Sequence, residues 1–212
     1  MSVAFDPSCT ACPRLAAFLG EVRTHHPDYF CAPVPAFGDP EARLLVVGLA
    51  PGMHGANATG RPFTGDHAGI LLYRTLFEFG FSTAPESLSA QDGLSLINCR
   101  ITNAVKCLPP QNKPSGKEIA TCRRFLANEL AVFPPGGVVL ALGAIAHRSV
   151  LAAMELRQSA YAFAHAAEHQ LPRDITLIDS YHCSRYNTQT RRLTPEMFEA
   201  VFSRAKALLA QL

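Results

Sequence analysis

Charge of one sign is scarce in this chain of 212 residues. Lys and Arg number 19 against 17 Asp and Glu, a formal net charge of +2. A protein that holds a polyanion through its overall field carries a large basic excess, so any such affinity here must come from local clusters of Arg and Lys. Long apolar runs are missing too. None approaches the roughly 20 residues of a spanning helix, and Met1-Ser2-Val3-Ala4-Phe5-Asp6-Pro7 has no basic region leading into an apolar core, so no secretory signal is expected. Internal repeats and low-complexity tracts are also lacking. The chain does have 48% hydrophobic residues, enough to build the core of one domain over 1–212. Its seven cysteines are an odd number for a disulfide framework, and with no export signal they read as ligands or buried thiols in the reducing cytoplasm.

The stretch from Leu44 to Asp66 organises the rest. Leu44-Leu45-Val46-Val47-Gly48 is a short apolar run with two β-branched valines, expected to form a buried parallel strand, and the Gly- and Pro-rich segment after it is a loop at that strand's carboxyl end. Ligands of open α/β sheets bind at that end. Five glycines between Gly48 and Gly65 let backbone amides approach a ligand, while Pro51 and Pro62 fix the chain around them.

Before this strand, residues 1–40 carry Cys9-Thr10-Ala11-Cys12, a short helix over Pro13 to Thr24 and a run broken by four prolines. That composition describes an arm laid over a core and in need of an anchor. After the loop, Asp66 caps a helix whose apolar face is expected at Ile70, Tyr73, Leu76 and Phe77, with Gly80 as its stop. Ile97 to Val105 reads as the second strand. Ser115-Gly116-Lys117-Glu118 is a capping box opening a helix through about Leu130. Val138 to Leu142 is a third strand, Ala144 to Leu156 a helix, and Ile175 to Ile178 a fourth strand. A polar loop runs to Arg192, and Thr194 with Pro195 starts the last helix, whose inward positions are Phe198, Val201, Phe202, Ala205 and Leu209. Strand and helix alternate, which predicts a three-layer α/β/α domain around a central four-stranded parallel sheet.

Four cysteines stand apart from the other three. Cys9 and Cys12 share a tight turn, and Cys107 and Cys122 follow the second strand on a loop and a helix. Four such thiolates can close a site that by spacing alone holds either zinc or an iron-sulfur cluster.

Gly48-Leu49-Ala50-Pro51-Gly52, His54-Gly55-Ala56-Asn57 and Thr59-Gly60-Arg61-Pro62-Phe63-Thr64-Gly65-Asp66 closely resemble the first active-site motif of the iron-sulfur uracil-DNA glycosylases. Leu49-Ala50 points to the family 5, or B, type. The resemblance extends from Cys9 to Thr194, and its implications follow residue by residue. Cys9, Cys12, Cys107 and Cys122 would ligate a [4Fe-4S] cluster that staples the arm to the core without moving electrons. Gly48, Ala50, Pro51 and Gly52 would line the substrate site, Phe63 would stack on the flipped base, and Asn103 would read the uracil edge. His182 would donate to O2 of the leaving base. Related families place an acidic or amide residue where Ala50 stands here, so Asn57 is the nearest polar residue to hold the water, with Asp66 as the competing carboxylate. Ser184, Arg185, Asn187 and Arg191 lie in a segment that resembles the family's minor-groove loop.

Two residues depart from the family pattern. Ala58 stands where many relatives carry Arg, and Cys183 where Pro or a small apolar residue is usual. The resemblance therefore implies a monomeric cytoplasmic enzyme that hydrolyses the N-glycosidic bond of uracil in DNA, and of other deaminated bases such as hypoxanthine. A non-catalytic iron-sulfur DNA-binding or redox module is the alternative, and it would bind DNA without releasing a base. A zinc-stapled hydrolase of another nucleotide is a further one, told apart by its metal content.

Overall fold

The computed structural model describes residues 5–211; Met1 to Ala4 at the start of the expected arm, and Leu212, lie outside them. Among the described residues six strands form one sheet: β1 (Phe37–Gly38), β2 (Leu44–Gly48), β3 (Cys99–Asn103), β4 (Val138–Leu142), β5 (Glu168–Gln170) and β6 (Thr176–Ser180), in the order β1-β3-β2-β4-β6-β5. The four expected strands are the parallel centre, β3-β2-β4-β6. The sheet is nevertheless six-stranded, because β1 and β5 add antiparallel edges. Those edges are two and three residues long, too short for an alternating pattern to mark them.

Seven α-helices among the described residues accompany the sheet: α1 (Pro13–His25), α2 (Ala56–Thr59), α3 (His67–Glu78), α4 (Gly116–Val132), α5 (Ala144–Ala153), α6 (Arg185–Gln189) and α7 (Pro195–Leu209). Side chains alternate across a strand, so Leu44 and Val46 of β2 join α3 and α7 in one apolar layer, while Leu45 and Val47 join α4 and α5 in the other. Both layers are thereby sealed from water.

The helix ends follow the expected chemistry. Asp66 accepts from the Gly69 amide at 2.9 Å, Ser115 and Glu118 form the reciprocal capping box, and Thr194 accepts from the Met197 amide. One face was misassigned. Tyr73 and Leu76 of α3 are buried, but Ile70 and Phe77 point to solvent, and Ala68, Leu72 and Thr75 complete the inner face. The polar loop after β6 also contains a helix, α6, capped by the Ser184 hydroxyl. At five residues it is too short to show a helical period.

The arm packs through α1 into a third apolar cluster with Val105, Leu108 and Phe125. Further ties reach it directly. Arg14 grips Glu118 with two hydrogen bonds at 2.8 and 2.7 Å, the Cys31 and Phe30 amides donate to the Asn57 and Ala58 carbonyls, and Val34 N–H donates to Lys106 O.

Candidate active site

In the parallel register Gly48 pairs with Asn103 and Leu142 with Ser180, so these strands end along one edge of the sheet. The loops leaving that edge enclose a cavity of about 310 Å³, lined among others by Ala50, Gly52, Phe63, Asp66, Asn103 and His182. That volume suits a single small planar ligand. Gly48 makes the arrangement possible, since a Cβ there would lie 2.4 Å from Asn103 Oδ1 and 2.7 Å from the Phe63 ring.

Phe63 has φ +55°, a left-handed conformation that costs a non-glycine residue roughly 1 kcal/mol or more. Its neighbours hold it there. The Tyr73 hydroxyl donates to Pro62 O at 2.8 Å, Thr64 bonds Ser87 at 2.8 Å, and a Cβ at Gly69 would collide with Phe63 O. Below them Arg61 is 5% exposed and reaches Asp92, Ser87 and Ala90 O. Burial pushes the Asp92 carboxyl up, but Arg61 and three backbone amides outweigh that and hold its pKa down at about 2. The loop therefore stands on a buried ion pair between Arg61 of the motif and Asp92, which lies outside it.

Asn103 is 3% exposed and its Oδ1 is buried with no hydrogen-bond partner among the described residues. An orphaned acceptor at the wall of a cavity is poised for a donor on a ligand. His182 lies across from it, its ring 6.0 Å from that of Phe63. Burial lowers its pKa from 6.5, and the nearby Asp66 charge offsets only part of that, so the imidazole is neutral at pH 7. The Asn187 amide donates to His182 O at 2.8 Å and fixes the turn, and a Cβ on Gly143 would be 3.6 Å from His182 Cβ.

Asp66 lines the cavity and Asn57 does not. Asp66 uses Oδ1 to cap α3, while Oδ2 faces the backbone of Gly52 and Gly55, so near that a Cβ on Gly55 would be 2.6 Å away. It also borders an outer cavity of about 470 Å³ shared with His67, Leu88 and Arg185. Asn57 is fully buried on the other side of the loop, where its amide donates to Cys31 Sγ at 3.5 Å and its Oδ1 has no partner among the described residues. The side chain therefore does not line the base cavity: on the short helix α2 it lies against Cys31 of the arm.

Pro51 is buried beneath the loop. Ser184 reaches the cavity, and Arg185 borders the outer one. Arg191 is exposed at φ +56°, and Arg192 lies over the Tyr181 ring at 4.7 Å. Asn112, which sequence reasoning passed over, also lines the cavity. Gln111 and Asn112 both have positive φ, and an Asn in a proline-broken loop was the available signal.

Cys9, Cys12, Cys107 and Cys122 border one small cavity with Leu15, Val105 and Phe125. Burial pushes the Cys107 thiol up to about 12, with the other three sulfurs adding to it, and burial likewise raises Cys122 and Cys12. Thiolates gathered this way repel unless a cationic group sits among them. Two donors already point at sulfur: Lys106 N–H to Cys122 Sγ at 3.3 Å and Arg124 Nη2 to Cys9 Sγ at 3.2 Å. The donor set and the apolar wall fit a metal cluster. Cys99 and Cys183 are buried elsewhere, and Cys31 is buried in the same apolar cluster but does not line that cavity.

The parallel centre of the sheet thus carries at its carboxyl edge a pocket lined by an aromatic ring, an amide and a neutral histidine, a set of groups with the chemistry to hold a planar heterocycle. Residues 35–206 match the model of the uracil DNA glycosylase superfamily. The chain is 50% identical to a type-5 uracil-DNA glycosylase of Thermus thermophilus over 95% of this chain and 94% of that one. It is 40% identical to a type-5 uracil-DNA glycosylase of Pyrobaculum aerophilum over 94% and 88%. A type-4 uracil-DNA glycosylase of Thermotoga maritima is 34% identical over 65% and 58%. The chain belongs to the uracil-DNA glycosylase superfamily and groups with its type-5 members.

Proposed function

We propose that this chain hydrolyses the N-glycosidic bond of uracil in DNA and leaves an abasic site. The observation that carries the reading is the unpartnered Asn103 Oδ1 at the wall of the cavity that also holds His182 and Phe63. Uracil offers N3–H as the missing donor and O4 as an acceptor for the same amide. With the base flipped from the stack and laid against Phe63, the neutral His182 donates N–H toward O2, where charge grows as the bond breaks. The glycosidic electron pair leaves with uracil, and water adds its oxygen to the cationic sugar carbon and gives up a proton. Asp66, which borders both the base cavity and the outer one, is proposed to orient that water and to stabilise the cationic sugar. It takes the role first expected of Asn57.

Hypoxanthine presents the same C=O beside N–H but no O2, so Asn103 can read it while His182 loses its partner. Ser184, Arg185 and Arg191 are proposed to contact DNA, with Asn187 holding the turn. Cys9, Cys12, Cys107 and Cys122 are proposed to hold a [4Fe-4S] cluster, which when bound supplies a staple between arm and core and no electrons to the hydrolysis. Incubating the protein with duplexes carrying uracil, hypoxanthine or xanthine and cleaving at abasic sites tests the reading. Uracil excision is expected to be fastest; duplex binding with no released base would favour the non-catalytic module.

A further inference from the structure

His147, His169 and Asp179 lie apart from both the base cavity and the cysteines, on the face of β6 covered by α5. Asp179 is fully buried, the His147 side chain is 2% and the His169 side chain 13% exposed. His147 Nε2 is 3.0 Å from Tyr161 O, a carbonyl that can only accept, so Nε2 carries the hydrogen. That leaves Nδ1 with a lone pair, yet Nδ1 faces Asp179 Oδ1 at 2.8 Å. A bare ring nitrogen and a carboxylate oxygen are both acceptors, and this contact is stable only with a cation between them, either an added proton or a metal ion. His169 Nε2 stands 3.2 Å from the other oxygen, Oδ2. One donor atom from each residue lies within 4.8 Å of the others. A proton shared between His147 and Asp179 needs no second imidazole; a metal ion does. The backbone carbonyl on the far nitrogen of His147 is the arrangement that orients a metal-ligating histidine.

We infer that His147, His169 and Asp179 form a divalent-metal site suited to zinc, with two nitrogens, one carboxylate and a fourth position for water. The ion would clamp α5, β5 and β6 together behind the turn that carries His182. The full chain as purified is treated with EDTA, then given Zn²⁺ or Co²⁺. One zinc per chain is expected, with Tm raised by roughly 5–10 °C at a hundredfold excess over Kd. Bound Co²⁺ should show tetrahedral visible bands without thiolate charge transfer, which separates this site from the cysteines. His169→Gln, on the edge strand, should abolish uptake and the Tm response, and Asp179→Asn should do the same where it folds. No uptake, thiolate bands, or uptake retained in His169→Gln overturns the site. A Tm that responds to pH but not to zinc overturns it as well, since the cation is then a proton.

Discussion

Asn103 and His182 face one cavity from the ends of two strands, and each does what the other cannot. On the proposed reading the amide takes the edge that uracil and hypoxanthine share, so Asn103→Ala should slow both, while His182 addresses an oxygen that only uracil has. His182→Ala should therefore slow single-turnover excision of uracil by roughly 10²-fold, and of hypoxanthine by much less, with DNA affinity nearly intact. Equal losses on the two bases would take O2 away from His182. The working form is the neutral imidazole, whose pKa lies below 6.5, so the parent rate should stay level through neutrality and fall only on an acid limb below that value. Asp66→Asn should be far slower than the parent. Asn57→Ala should instead lower Tm, because that side chain ties the loop to Cys31.

Among the elements, the loop between β2 and α3 depends on the segment from Ser87 to Asp92 that packs under it. Removing one partner of a buried ion pair costs about 3–5 kcal/mol, so Arg61→Met should lower the urea midpoint sharply. The sign with pH follows from Asp92. Its carboxyl is depressed from 3.8 to about 2, so the pair's contribution is present above 3.8 and lost as pH falls through about 2. Arg61→Met should remove that part of the acid sensitivity. The segment around α6 makes a separate prediction. If Arg185, Arg191 and Arg192 neutralise phosphates, replacing one should make the log-log salt dependence of binding shallower by about one unit. An unchanged slope in all three variants would place the DNA elsewhere.

At the scale of the whole molecule, the arm is held by two kinds of bond. The Arg14–Glu118 pair and the backbone ties to Asn57, Ala58 and Lys106 are intrinsic to the chain, whereas the four cysteines are proposed to act through a cluster. Purified protein should be brown, and Cys9→Ala, Cys12→Ala, Cys107→Ala or Cys122→Ala should each lose colour and solubility while Cys31→Ala keeps its colour. Zinc at one per chain on the cysteines, with no iron, would end the cluster assignment.

The four parallel strands and the caps at Asp66, Ser115 and Thr194 were legible in the sequence, because burial on both sheet faces and capping each leave a local pattern; that Phe63, Asn103 and His182 line one cavity was implied by the family resemblance and not by spacing. The edge strands and α6 were not legible, being too short for their period to repeat. The exposed Ile70 and Phe77 show that an apolar stripe does not say which neighbour covers it. Only the tertiary structure shows that Asp66 lines the cavity while Asn57 does not. Both lie in one motif nine positions apart, and which of them meets the cavity depends on the direction in which α2 turns its side chain, a fact no local spacing encodes. The same holds for His147, His169 and Asp179, which three separate elements bring within 4.8 Å of one another.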